Sequence, residues 1–161
     1  MKLTLYHYWR SSCSWRVRWA FALKNISCDF VHVNLLTGET ETPEHLARNP
    51  MGYVPVLEIK ENGISRFLSE SYAIIEWAEE LYPSPTLLPG DPYQRGLIRQ
   101  LSEMIGSGTQ PLQNLNTQDR HSSDAIEKKS WTQFWIRNGL NAYETLSKKT
   151  AGKFSVGDSV T

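Results

Sequence analysis

The chain has 161 residues with 17 basic and 17 acidic side chains, so its formal net charge is zero and no overall field draws it to nucleic acid or an anionic membrane. Apolar residues at 40% and charged residues at 21% exclude a disordered chain and fit one domain, or a small domain with part of another. The start, Met1 to His7, lacks the apolar stretch of a signal peptide, and no run of about 18 apolar residues offers a membrane span. Two cysteines, Cys13 and Cys28, form neither a disulfide framework nor a metal-binding set, so a cytoplasmic protein without nucleic-acid or membrane partners is expected.

Taken in chain order, residues 2–8 alternate Leu3, Leu5 and His7 against Thr4, Tyr6 and Tyr8, which predicts a strand. Within 15–24, Val17, Ala20, Phe21 and Lys24 recur at helical steps, and Asn25 can close that helix in a left-handed conformation. A second strand is expected over 28–35. Thr42 and Pro43 read as an N-cap followed by proline at the first helical position, so a short helix should cover 43–48 and stop at Asn49-Pro50. Strands over 56–59 and 65–68 flank Asn62-Gly63, a strong hairpin signal. Residues 71–81 carry one apolar stripe, Ala73, Ile74, Trp77, Ala78 and Leu81, and predict a helix.

This order of strand, helix, strand, helix, hairpin and helix predicts an α/β, thioredoxin-like N-terminal domain over 1–82, with a mixed four-stranded sheet. The proline-rich stretch 83–90 reads as a semi-rigid linker. Beyond it the periodicity is wholly helical, so an all-α C-terminal domain is expected over 91–161. Asp91-Pro92-Tyr93-Gln94 opens one long helix to about residue 106, and a second spans about 124–146. Two helices are few to cover the apolar surface of the six tryptophans, so this helical domain is expected to be incomplete within the chain.

The chemistry-bearing run is Arg10-Ser-Ser-Cys-Ser-Trp-Arg-Val-Arg18, between the first strand and first helix. There, free backbone N–H groups and the positive end of the helix dipole converge and stabilise a thiolate. A hydroxyl from Ser11 or Ser12 aimed at sulfur lowers a thiol pKa further, although helix capping is an equally ordinary role for either serine. Cys13 lies in the same turn and is either a nucleophile or a small packed residue. No second cysteine stands three positions away, which disfavours dithiol redox chemistry. Val54-Pro55, Glu70 and Ser71 read locally as a strand entry and a helix start. The four histidines show no metal-ligand spacing.

The run from Ser11 to Arg18 resembles the signature of the zeta-class glutathione transferases, the maleylacetoacetate isomerases. The resemblance continues through Asn49-Pro-Met51, Val54-Pro55, Ser71-Tyr-Ala-Ile-Ile-Glu76, Leu87-Leu-Pro89 and Gln110-Pro-Leu-Gln-Asn114. It implies glutathione as cofactor, with Ser11 the main thiol-activating residue and Ser12 and Cys13 contributing. It further implies that Ser11 to Arg16 (Ser11, Ser12, Cys13, Ser14, Trp15 and Arg16) touch glutathione; by its own place at the start of the helix, Arg16 reads either as a clamp for a dicarboxylate or as a solvated helix arginine. A cis Val54-Pro55 bond would offer the Val54 backbone to the cysteinyl unit. Ser71 and Glu70 would take the carboxylate and ammonium of the γ-glutamyl end, a position where zeta enzymes often carry Gln rather than Glu70. Gln110, Asn114, Leu115 and Asn116 would line the glutathione side of a cleft.

The resemblance also implies a homodimer, a helical domain that runs on past Thr161, and isomerisation of maleylacetoacetate to fumarylacetoacetate in tyrosine and phenylalanine degradation, with glutathione regenerated. Alternatives are conjugation of haloacids, isomerisation of maleylpyruvate, or a non-catalytic assembly module on the same fold.

Overall fold

A computed structural model describes all residues, Met1–Thr161, and the chain divides into two compact units, Met1–Thr86 and Leu87–Thr161. The first unit opens with β1 (Lys2–His7), α1 (Ser12–Leu23) and β2 (Asp29–His32), followed by α2 (Pro43–Arg48). The hairpin of β3 (Val56–Glu61) and β4 (Ile64–Ser69) then leads into α3 (Ser71–Leu81). The sheet order is β2-β1-β3-β4. β1 pairs parallel with β2 and antiparallel with β3, which pairs antiparallel with β4. This mixed sheet is the thioredoxin-like arrangement that the element order predicts.

The strand alternation sets the core. Leu3, Leu5 and Leu57 from the sheet meet Val17 and Phe21 of α1 and Ile74 and Ala78 of α3. Fully burying a side chain such as Phe21 contributes roughly 1.5–3 kcal/mol. The alternate residues of β1 serve the other face, where Tyr6 donates to Glu58 Oε2 at 3.0 Å and carries the Arg48 guanidinium of α2 at 4.1 Å from its ring centre. The hairpin closes on Asn62 and Gly63, at φ 50° and 80°. With both central residues in the left-handed region this is the type I′ turn, which favours Asn-Gly.

Lys24 continues the buried stripe of α1, and its ammonium is fully buried. It reaches Glu79 at 2.5 Å and the carbonyls of Tyr82 and Pro85 at 2.7 Å each. Three acceptors match the three N–H donors of an ammonium. The ends of α1 and α3 and the start of the proline-rich segment are thereby tied together.

The second unit holds α4 (Pro92–Gly106), α5 (Leu115–His121) and α6 (Ala125–Ser147). Asp91 and Gln94 form a reciprocal capping box at the start of α4, and Asp124 accepts from the N–H groups of Ile126 and Glu127 at the start of α6. The expectation of two helices here needs correction, because α5 lies between them. Its only strongly apolar residue is Leu115, so no stripe announces it; Asn114 caps it, and Gln118 donates to the carbonyl of Gln113 at 2.6 Å. α6 packs closely by its glycine: a Cβ on Gly139 would stand 1.9 Å from Thr109 Oγ1. Trp131 donates to the carbonyl of Leu112 at 2.6 Å and stacks on His121.

Of the six tryptophans, only Trp131 and Trp135 belong to this unit, so the apolar surface to be covered there is smaller than the whole-chain count suggests. Two strand and helix limits also differ from expectation. α1 starts three residues earlier than the apolar repeat, because its first turn is polar and is held by the Ser11 cap. β2 is limited to four residues, all exposed at the sheet edge, and Asn34 then turns the chain into a 3-10 helix.

Candidate functional site

The sheet register gathers three segments at one end of the first unit. Tyr6 pairs with Val56 and Val56 with Ser69, so these residues form one row. From this row β1 runs out toward the start of α1, Val54-Pro55 runs in to β3, and β4 runs out into Glu70 and Ser71.

Ser11 is the N-cap of α1. Its hydroxyl oxygen accepts from the N–H of Ser14 at 3.2 Å, and its own N–H donates to the carbonyl of Tyr8 at 3.1 Å. A hydroxyl that accepts a capping bond still has its proton to donate. Capping and thiol activation are thus compatible at this one oxygen. Ser12 is exposed and Cys13 half-buried in the first turn. Ser14 is fully buried; its N–H donates to Ser11 and its hydroxyl finds no partner within the chain. Trp15 is 52% exposed and lies against Trp19, ring centres 4.7 Å apart.

The Val54-Pro55 peptide bond is cis. Within the chain no hydrogen bond engages the N–H or C=O of Val54. The turn before it is held by two residues on or beside α2, since His45 Nε2 lies 3.1 Å from the carbonyl of Tyr53 and Asn49 donates to that oxygen at 3.1 Å. His45 is 2% exposed. No sequence pattern singled it out, although its place just ahead of an Asn-Pro turn was the available signal.

Glu70 caps α3 in an unusual conformation, φ 68° and ψ 116°, and gives the helix no side-chain cap. Non-glycine residues held in such regions cost about 1–3 kcal/mol and cluster at ligand sites. The other α-helices each receive a side-chain cap, from Ser11, Thr42, Asp91, Asn114 and Asp124. Ser71, the first residue of α3, is buried, and Arg16 donates to its hydroxyl at 3.2 Å. The Arg16 guanidinium also lies 4.5 Å from the centre of the Tyr72 ring. Thus Ser11 to Arg16, Val54-Pro55 and Glu70-Ser71 share one end of the first unit. Gln110, Asn114, Leu115 and Asn116 belong to the second unit, Asn114 as the α5 cap and Leu115 and Asn116 as its first turn.

Burial is the main cause of shift at three titratable groups, raising the Tyr6 hydroxyl and also moving Cys28 and His7. Desolvation pushes the Cys28 thiol up to about 11, which leaves it protonated at neutral pH. The His7 imidazole is lowered by burial and, less strongly, by the nearby charges of Arg18 and His32.

The mixed sheet and the helices that flank it define a thioredoxin-like domain. Residues 5–86 match the family model "Glutathione S-transferase, N-terminal domain". The chain is 45% identical over 161 residues to maleylacetoacetate isomerase of Mus musculus, covering 99% of this chain and 72% of the relative. It is 44% identical over 163 residues to a zeta-class glutathione S-transferase of Euphorbia esula, covering 99% and 70%. A crystal structure of maleylacetoacetate isomerase from Anaeromyxobacter dehalogenans, with glutathione in its active site, superposes with a TM-score of 0.89 at 45% identity, covering 99% of this chain and 74% of that one. The chain belongs to the glutathione S-transferase family, and within it to the zeta class of the maleylacetoacetate isomerases.

Proposed function

We propose that this protein binds glutathione at the Ser11, Val54 and Ser71 end of its first unit and uses it to isomerise maleylacetoacetate to fumarylacetoacetate. The observation that carries the reading is the Ser11 hydroxyl at the N-terminus of α1, in a chain of this family. The residues present fit the ligand. Unused backbone polar groups at Val54 suit pairing with an extended peptide, and the α3 N-terminus, with no side-chain acceptor, suits a carboxylate.

When bound, glutathione supplies a thiolate that adds reversibly to the cis double bond, so that rotation and elimination release the trans isomer with no net consumption of the thiol. The chain's own work is electrostatic and positional. Ser11 donates its proton toward the sulfur while the N–H groups and dipole of the first α1 turn favour negative charge there. Ser12 and Cys13 flank that position in the same turn. Val54 holds the cysteinyl unit by backbone pairing, and Glu70 and Ser71 take the γ-glutamyl ammonium and carboxylate. Cytoplasmic residence and a homodimeric state belong to the same reading, supported by family membership. No helix is long and apolar enough to cross a membrane.

The test is turnover of maleylacetoacetate with and without added glutathione. Isomerisation that requires glutathione and returns it unchanged is the expected result. Stoichiometric loss of glutathione, or turnover without it, would refute the proposal.

A further inference from the structure

Arg16 stands on the fifth residue of α1, the helix whose N-terminus carries Ser11, yet its guanidinium is aimed at α3. It donates to the Ser71 hydroxyl at 3.2 Å and covers the face of the next residue, Tyr72, at 4.5 Å. Ser71 is 5% exposed, so the bond is shielded and its geometry is fixed by the packed helices. A serine hydroxyl has two acceptor lone pairs and one proton. When a guanidinium occupies a lone pair, the proton is directed elsewhere and the O–H becomes a stronger donor. At the first position of α3, beside a cap residue that provides no acceptor, that proton is available to a carboxylate.

We infer that Arg16 is a positioning residue: it acts through Ser71, turning and polarising the hydroxyl that receives the γ-glutamyl carboxylate. The inference rests on the glutathione reading above. It also links the γ-glutamyl end of the bound tripeptide to its central cysteinyl sulfur, because the helix that faces the sulfur is the one that sets the carboxylate donor. The planar fork of arginine can hold Ser71 while lying flat on Tyr72, and an ammonium cannot do both as well.

The experiment measures affinities of wild type, Arg16→Met, Arg16→Lys, Ser71→Ala and the Arg16→Met/Ser71→Ala double variant. The probes are glutathione and cysteinylglycine, which lacks the γ-glutamyl unit, followed by calorimetry or competition. Arg16→Met is expected to weaken glutathione about tenfold, the scale of a hydrogen bond involving a charged group. It should leave cysteinylglycine affinity unchanged, and Arg16→Lys should recover part of the loss. In the Ser71→Ala background the effect of Arg16→Met should largely vanish. Unchanged glutathione affinity in Arg16→Met, an equal loss for cysteinylglycine, or an undiminished loss in the Ser71→Ala background would each overturn the inference. A wild-type protein that binds no glutathione would instead overturn the reading beneath it, and this inference with it.

Discussion

Ser11 caps α1 through its hydroxyl oxygen, and in the proposed site the same hydroxyl donates to the thiol; substitutions separate the two. Ser11→Ala removes both the cap and the donor, and is expected to cost about 1 kcal/mol of stability and about 10–100-fold in glutathione-dependent isomerisation. Ser11→Asp keeps an acceptor for the Ser14 N–H but offers sulfur a negative charge, so it should melt near wild type and still be inactive. Full activity in Ser11→Asp would show that the hydroxyl proton is not the activating group.

At Glu70 the opposite trade is expected. Glycine tolerates φ 68° without strain, so Glu70→Gly should stabilise the fold by about 1 kcal/mol in denaturant melts while weakening glutathione by loss of the carboxylate. The two cysteines should differ under alkylation. Cys28, held protonated with its pKa near 11, should react far more slowly with iodoacetamide at neutral pH than Cys13, and mass spectrometry of the modified peptides reads the order.

His7 should give the fold an acid-side weakness. Its folded-state pKa lies below the ordinary value of 6.5, so the unfolded chain binds the extra proton more readily. Its contribution is complete above that value and is lost as pH falls below it. Denaturant melts at successive pH values should show stability declining below about 6.5, with a shallower decline in His7→Phe.

Among the elements, those with a local signal were legible from sequence. Thr42-Pro43 marks the start of α2, the Ala73 to Leu81 stripe marks α3, and Asp91 with Gln94 marks α4; each observed range agrees with its signal. α5 was not legible, because it depends on the Asn114 cap and the Gln118 bond rather than on an apolar repeat. The site divides in the same way. Ser11 could be read from its place between a strand and a helix, whereas the Arg16 bond joins residues 55 positions apart and the support of the Tyr53 carbonyl by His45 has no periodic trace.

Lys24 is the element-scale feature with the largest expected effect. Lys24→Met leaves Glu79 half-satisfied and two carbonyls without their donor, and should cost about 3 kcal/mol. A second change, Glu79→Leu, should recover part of that loss.

For the whole molecule, the order of elements made the thioredoxin-like sheet readable, and the second unit was less so because its helices are joined by capped turns with few apolar residues. Activity in this account depends on one physical act, stabilisation of a thiolate at the N-terminus of α1, and it can be measured directly. The ultraviolet absorbance of the thiolate of enzyme-bound glutathione is titrated against pH for wild type and Ser11→Ala. In the wild type the bound thiol is expected to titrate about two units below an ordinary thiol, returning most of the way in Ser11→Ala. A bound thiol that titrates like free glutathione in the wild type would contradict it.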